Sequence, residues 1–330
     1  MTAYDQRIVR DTASPDAREI PQVVSRQVIE GVVKNSFALQ LCQKRVMPAR
    51  TERMPALSLL PTASWLTGGS QAAKDSAFKT TTQVQWNNVQ MRAEEIAVMV
   101  PIPDAYVADV GVDLFGEIQP LLSQAIGVAL DQAVFFGINS PWLTNSDSDS
   151  IYKRAVAAGN TVTYDPNAEA ANQIGVLGKK LAVKGYVGNQ FVTQPGFDWV
   201  LAADRTQMDL SPYGPGSGVD RLPGTLYGKP MEQVTNGAWD NTRALLFIGD
   251  FSKAIVGIRQ DITFKLFDSG IITDNSTPPQ IQYNAMQQDG KILRVVARFA
   301  FATVNPISGL NSDLSGYPFG VLRPTGAPAT

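Results

Sequence analysis

Any chemistry in this chain would have to come from carboxylates, hydroxyls, lysines and backbone loops. Its 330 residues include no histidine and a single cysteine, Cys42. That removes Ser-His-Asp triads, Cys-His dyads and His-ligated zinc. One thiol can neither close an internal disulfide nor build a four-thiolate metal site. The remaining candidates fail on spacing. Gly175-Val176-Leu177-Gly178-Lys179-Lys180 approaches a phosphate loop, but the pattern asks for glycine at 173 and a hydroxyl at 180, where Gln173 and Lys180 stand. Gly214-Pro215-Gly216-Ser217-Gly218 approaches a dinucleotide turn, yet Val219 takes the third glycine's place and no strand leads into it. A surface loop is the better reading. Asn145, Asp147 and Asp149 alternate like the first ligands of a calcium loop, but position six is Ser150 and the closing position is Val156. A solvated linker fits better. Glu94 and Glu95 could suggest an acid/base pair, but neighbours on a strand point to opposite faces. No catalytic, cofactor or metal site is expected.

Binding chemistry is equally thin. With 28 basic against 30 acidic side chains the net charge is -2, which argues against condensing nucleic acid through bulk positive charge. The five tryptophans are dispersed without basic companions, so a stacking platform for single strands is weak. Lys44, Arg45, Arg50 and Arg53 form a modest cluster, read as a solvated or intersubunit patch. The charged fraction of 18% lies below the roughly 25% usual for soluble domains. Much of the surface is therefore expected to face something other than water.

The elements that would position these residues follow from periodicity. Residues 1–19 are polar and aperiodic, an arm with no core of its own. Helical spacing begins at Pro21 and runs to about Leu41 through Val24, Val28 and Val32. Residues 47–93 read as two extended limbs around a polar tip, with alternation through Phe78, Val84, Trp86, Val89 and Met91. This hairpin carries too few apolar residues to support itself and is expected to rest on another molecule. A long helix is expected over 113–136, stopped by Gly137, with Pro120 as a kink or the true start. Further helices are expected near 168–183 and 196–203, and strands near 244–248, 254–258 and 292–304. A Pro/Gly-rich tail is expected from Gly316. The length gives a prior of roughly two domains and the class is α+β. There is no apolar signal core or membrane-spanning stretch, so the chain is expected to work in a reducing cytoplasm.

Four stretches in this order resemble the major capsid protein family of tailed phages, whose HK-ninety-seven-like fold is shared with encapsulin shells. Ile20-Pro21-Gln22-Val23-Val24 through Ser36 is similar to the helix after the family's N-terminal arm. Pro61-Thr62-Ala63-Ser64-Trp65-Leu66 and the return through Phe78, Val84, Val89 and Ala93 resemble its extended E-loop. Val98-Met99-Val100-Pro101-Ile102 and Leu130-Asp131-Gln132-Ala133-Val134-Phe135-Phe136-Gly137 resemble the approach to the spine helix and its stop. Leu226-Tyr227-Gly228-Lys229-Pro230, Phe247-Ile248-Gly249-Asp250-Phe251 and Arg298 to Asn305-Pro306 resemble the axial domain's closing motifs and the last peripheral strand.

The resemblance implies an arm (1–19), a peripheral domain (20–50, 94–150 and a return strand in 286–315), an E-loop hairpin (51–93), an axial domain (151–285) and a tail (316–330). It places intersubunit contacts on Arg7, Arg10, Arg53, Trp65, Lys74, Phe78, Trp86 and Gly137, and a capsomer-axis loop on Pro212, Tyr213, Gly214 and Gly216. Copies would form hexamers and pentamers of an icosahedral shell, assembled in the host cytoplasm and ending in the virion. The shell would hold double-stranded DNA weakly and without sequence specificity. Implied partners are a portal protein and a cement or decoration protein, with no membrane. Because Met1 lies about twenty residues before the first helix, a separately encoded scaffolding protein, or none, is expected. One branch of the family crosslinks an E-loop lysine to an asparagine near a glutamate. Lys74 with Asn305 or Asn311 could be the pair, but the last glutamate is Glu232, so no crosslink is expected. The alternatives are an encapsulin-like compartment shell around a cargo enzyme and, in another class, an α+β enzyme or carbohydrate-binding module.

Overall fold

The computed structural model describes residues 36–59, 85–103, 114–144, 146–203, 225–274, 276–305 and 316–328. The framework is a long helix between two sheets. Helix α2 (Leu114–Phe136) follows the short α1 (Phe37–Leu41) and carries Pro120 within its second turn. Leu122, Ile126, Leu130 and Val134 recur every four residues along its buried face. Among the described residues, no helix is long and apolar enough to cross a membrane.

One sheet has four strands, β1 (Gln43–Val46), β10 (Ala254–Phe267), β13 (Gly290–Thr303) and β4 (Glu94–Pro103), in that spatial order. The period of two in β13 divides its work between two faces. Leu293, Val295, Ala297, Phe299 and Phe301 enter the main core with α2, while Ala300 and Ala302 face a second, smaller cluster. The other sheet runs β5 (Thr161–Thr163), β14 (Phe319–Arg323), β9 (Leu246–Gly249), β6 (Gln190–Thr193), β8 (Lys229–Gln233) and β7 (Thr225–Leu226). Helix α4 (Ala170–Val183) covers one face through Ile174, Leu177 and Leu181, against Phe191, Leu246, Ile248 and Leu322. The alternate residues Val192, Phe247, Phe319 and Val321 join the main core. Helix α3 (Ile151–Ala157) adds Ile151, Tyr152 and Ala155 to that core, and α5 (Phe197–Ala203) adds Phe197 and Leu201 to the α4 side. Both sheets thus close on one core.

Four expectations change. Residues 319–323 are not a tail: β14 is buried and lies between β5 and β9. Its flanking prolines and glycines punctuate a strand of five residues. Strand β10 pairs with β13, so the chain rejoins the first sheet at Ala254, well before residue 286. The 146–150 segment is packed rather than solvated: Ser148 and Asp149 are buried, the Asp147 carbonyl accepts from Thr303 N at 2.8 Å, and Arg154 pairs with the Asp147 carboxylate at 3.1 Å. Finally, the base of the hairpin formed by β2 (Thr51–Leu59) and β3 (Gln85–Arg92) rests on its own chain. Met54, Val89 and Met91 pack on Met47, Ile255, Ala300 and Ala302.

Candidate assembly surfaces

The β2–β3 hairpin has two unlike faces. Its register sets Thr51 opposite Arg92, Arg53 opposite Gln90 and Pro55 opposite Asn88. These residues point away from the core, and beyond them Trp86 leaves 67% of its surface in solvent. Ion pairs stiffen the base where the hairpin joins the sheet. Arg45 meets Glu52 at 2.5 Å, and Glu94 receives Arg92 at 2.5 Å and Arg50 at 3.1 Å. Ser148 Oγ donates to the Gln90 carbonyl at 2.7 Å, tying the hairpin to the loop after α2. A rigid, internally supported base therefore carries an outer face of cationic, amide and aromatic groups.

The remaining sequence candidates divide clearly. Arg53 and Trp86 share that outer face. Gly137 ends α2 with φ +67°, where Ile138 N donates to the Gln132 carbonyl at 3.2 Å. A Cβ there would stand 2.8 Å from Ser150 Oγ, so within the chain Gly137 is a helix stop fitted against α3. Arg7, Arg10, Trp65, Lys74, Phe78, Pro212, Tyr213, Gly214 and Gly216 lie outside the described residues. Asn305, weighed as a crosslink partner, is buried; it accepts from Tyr186 Oη at 2.5 Å and donates to the Gly316 carbonyl.

Two surfaces escaped the sequence reading. The hairpin of β11 (Ile271–Thr273) and β12 (Ile281–Asn284) exposes Ile271 and Ile281, with Met286 just after it. Its turn is organised by Asp274, whose carboxylate accepts from Ser276 N at 3.1 Å and Gln280 N at 2.8 Å. These bonds and the one from Ser276 Oγ hold its carboxyl below the usual range. The run Asn275-Ser276-Thr277-Pro278-Pro279 between alternating apolar residues was the available signal. On the far sheet, Val176 and Val183 of α4 and Trp199 of α5 are exposed.

Among the described residues the adjacent carboxylates Glu94 and Glu95 do not converge. Glu95 turns to Arg298 at 3.0 Å while Glu94 serves Arg50 and Arg92, so the adjacent carboxylates are engaged separately. Both border a cleft of about 270 Å³ beside α2 whose walls include Ile96, Leu130, Ala133 and Trp142. Among the described residues no group of three or more acidic or thiol side chains could hold a metal ion.

The model of the phage capsid family matches residues 19–308. The chain belongs to the phage capsid family. A solved structure from Microbacterium phage Oxtober96 is 30% identical, with a TM-score of 0.74 over 96% of this chain and 97% of that one. One from Mycobacterium phage Adephagia is 27% identical, with a TM-score of 0.72 over 89% and 91%. The major capsid protein of Staphylococcus phage 80alpha is 22% identical over 273 residues, covering 83% of this chain and 78% of its own. The capsid chain is thus a shell-forming structural protein of the virion, of the tailed-phage major capsid type rather than a compartment shell.

Proposed function

We propose that copies of this capsid chain close into an icosahedral shell of hexamers and pentamers around double-stranded DNA, assembled in the host cytoplasm. The four-stranded sheet with α1 and α2 is assigned to the peripheral domain, and the six-stranded sheet with α3, α4 and α5 to the axial domain. The observation that carries the reading is the two-faced hairpin. Its inner face is consumed by the chain's own core, while Trp86, Arg53 and Pro55 are presented outward on a rigid base. Exposed aromatic and arginine side chains on a firm support are the usual anchors of protein interfaces. The hairpin is therefore taken to lie against a neighbouring copy, with Trp65, Lys74 and Phe78 beyond its base and Arg7 and Arg10 on the arm making further contacts. Pro212, Tyr213, Gly214 and Gly216 are assigned to the capsomer axis. A portal, a separately encoded scaffold and a decoration protein complete the proposed particle, held together without covalent crosslinks. The net charge of -2 suits a container that releases its DNA.

The test is expression of the full chain with and without the phage's other head proteins, followed by electron microscopy. Closed particles of uniform diameter are expected, and their formation should fall when Trp86→Ala and Arg53→Glu are combined. A chain that remains a monodisperse monomer under every condition overturns the reading.

A further inference from the structure

Asp131 stands out among the buried groups. It lies on the inward face of α2, fully removed from solvent, and no assembly surface described above uses it. Its two oxygens accept four hydrogen bonds. Oδ1 takes Ser36 Oγ at 2.7 Å and Ala38 N at 2.9 Å, while Oδ2 takes Phe37 N at 2.9 Å and Asn236 Nδ2 at 2.6 Å. That fills the acceptor capacity of a carboxylate. Ser36 Oγ accepts in turn from Leu39 N at 3.2 Å, so the first amides of α1 are satisfied by this one cluster. A local residue normally caps a helix start; here the second cap comes from 93 residues further along the chain.

The donors belong to two separate segments, neither of them on α2. Residues 36–38 are where the chain enters α1, whose five residues are too few to hold an orientation alone. Asn236 sits between β8 and β9 of the other sheet, and its Oδ1 fixes the turn by accepting from Ala238 N at 3.0 Å. Burying a carboxylate is costly, and an apolar replacement of both partners is often as stable. What such a replacement would lose is the angular definition that four directed bonds supply.

We propose that Asp131 is a positioning residue for shell assembly, fixing at one point both the course of the chain into α1 and the seat of the six-stranded sheet on α2. Subunit geometry depends on that point through the seat of α1 and the relative setting of the two sheets. The proposal rests on the shell-forming reading above, so its test separates the two.

The full chain carrying Asp131→Asn is compared with wild type by amide hydrogen exchange on unassembled subunits and by electron microscopy of assembly products at matched folded-subunit concentration. Exchange at Phe37 and Ala38 should quicken about ten-fold or more, as expected for losing charge-assisted bonds. Closed shells should give way to irregular or open particles. Asn236→Ala, which spares the bonds to α1, should leave exchange at Phe37 and Ala38 unchanged yet still broaden the particle sizes. Unchanged exchange in Asp131→Asn, or wild-type shells in wild-type yield despite faster exchange, overturns the proposal. Should Asp131→Asn fail to fold, the Ser36→Ala and Asn236→Ala pair keeps the carboxylate and decides by the same two readouts. If the wild-type chain never forms particles, the shell reading falls, and the positioning role in assembly falls with it.

Discussion

Burial outweighs the four donors around Asp131, so its carboxyl titrates above the ordinary range. The folded chain therefore takes up this proton before the unfolded chain does. The group's contribution to stability must rise as pH falls from its raised value toward about 3.9, and it is least favourable near neutrality. Denaturant midpoints measured between about pH 7 and pH 4 should shift in favour of wild type over Asp131→Asn as the pH drops; a constant difference refutes this. Close by, Cys42 is wholly buried, and desolvation with the Asp131 charge pushes its thiol up. It should resist alkylation at neutral pH until the chain unfolds. Gly137 is constrained by backbone rather than charge. Gly137→Ala forces a left-handed alanine against Ser150 and should cost about 2 kcal/mol in thermal or urea unfolding.

At the scale of elements the hairpin makes the sharpest contrast. Met91→Ala strikes its inner face and should cost about 2–5 kcal/mol of subunit stability. Trp86→Ala strikes its outer face and should change subunit stability by no more than about 0.5 kcal/mol while reducing particle yield. Similar losses of stability in both would remove the distinction between the faces. The sequence showed that this hairpin existed, because alternation through Val89 and Met91 is a local signal. It did not show the support beneath it, since Met47, Ile255 and Ala300 come from three other places in the chain. The same limit applied to β14. Pro318, Gly320 and Pro324 around so short a strand mimic a tail, and only pairing with β5 and β9 reveals a core element. Asp131 was legible as part of a family phrase, but its partners lie 93 to 105 residues away, beyond any periodicity. Strand parity separates Arg53 and Trp86 from Met54 and Val89, whereas the alternation read in the sequence had grouped Trp86 with Val89 and Met91.

For the molecule as a whole, the low charged fraction now has a structural setting. The two sheets share one core around α2, and apolar side chains still stand exposed at Trp86, at Ile271 and Ile281, and at Val183 and Trp199. A chain ended after residue 316 loses β14 from that shared core. It should yield no cooperatively folding subunit by calorimetry; a cooperative transition like that of the full chain refutes this.

The place of β14 also carries a meaning in time. A ribosome that has delivered the chain only as far as Asn305 has produced β5 and β9 without β14, the strand that pairs with both. The six-stranded sheet closes when Phe319–Arg323 emerges and slides between two strands made far earlier, a long-range step of the kind that makes folding slow. Until then a copy still being made lacks the strand that joins β5 to the rest of its sheet.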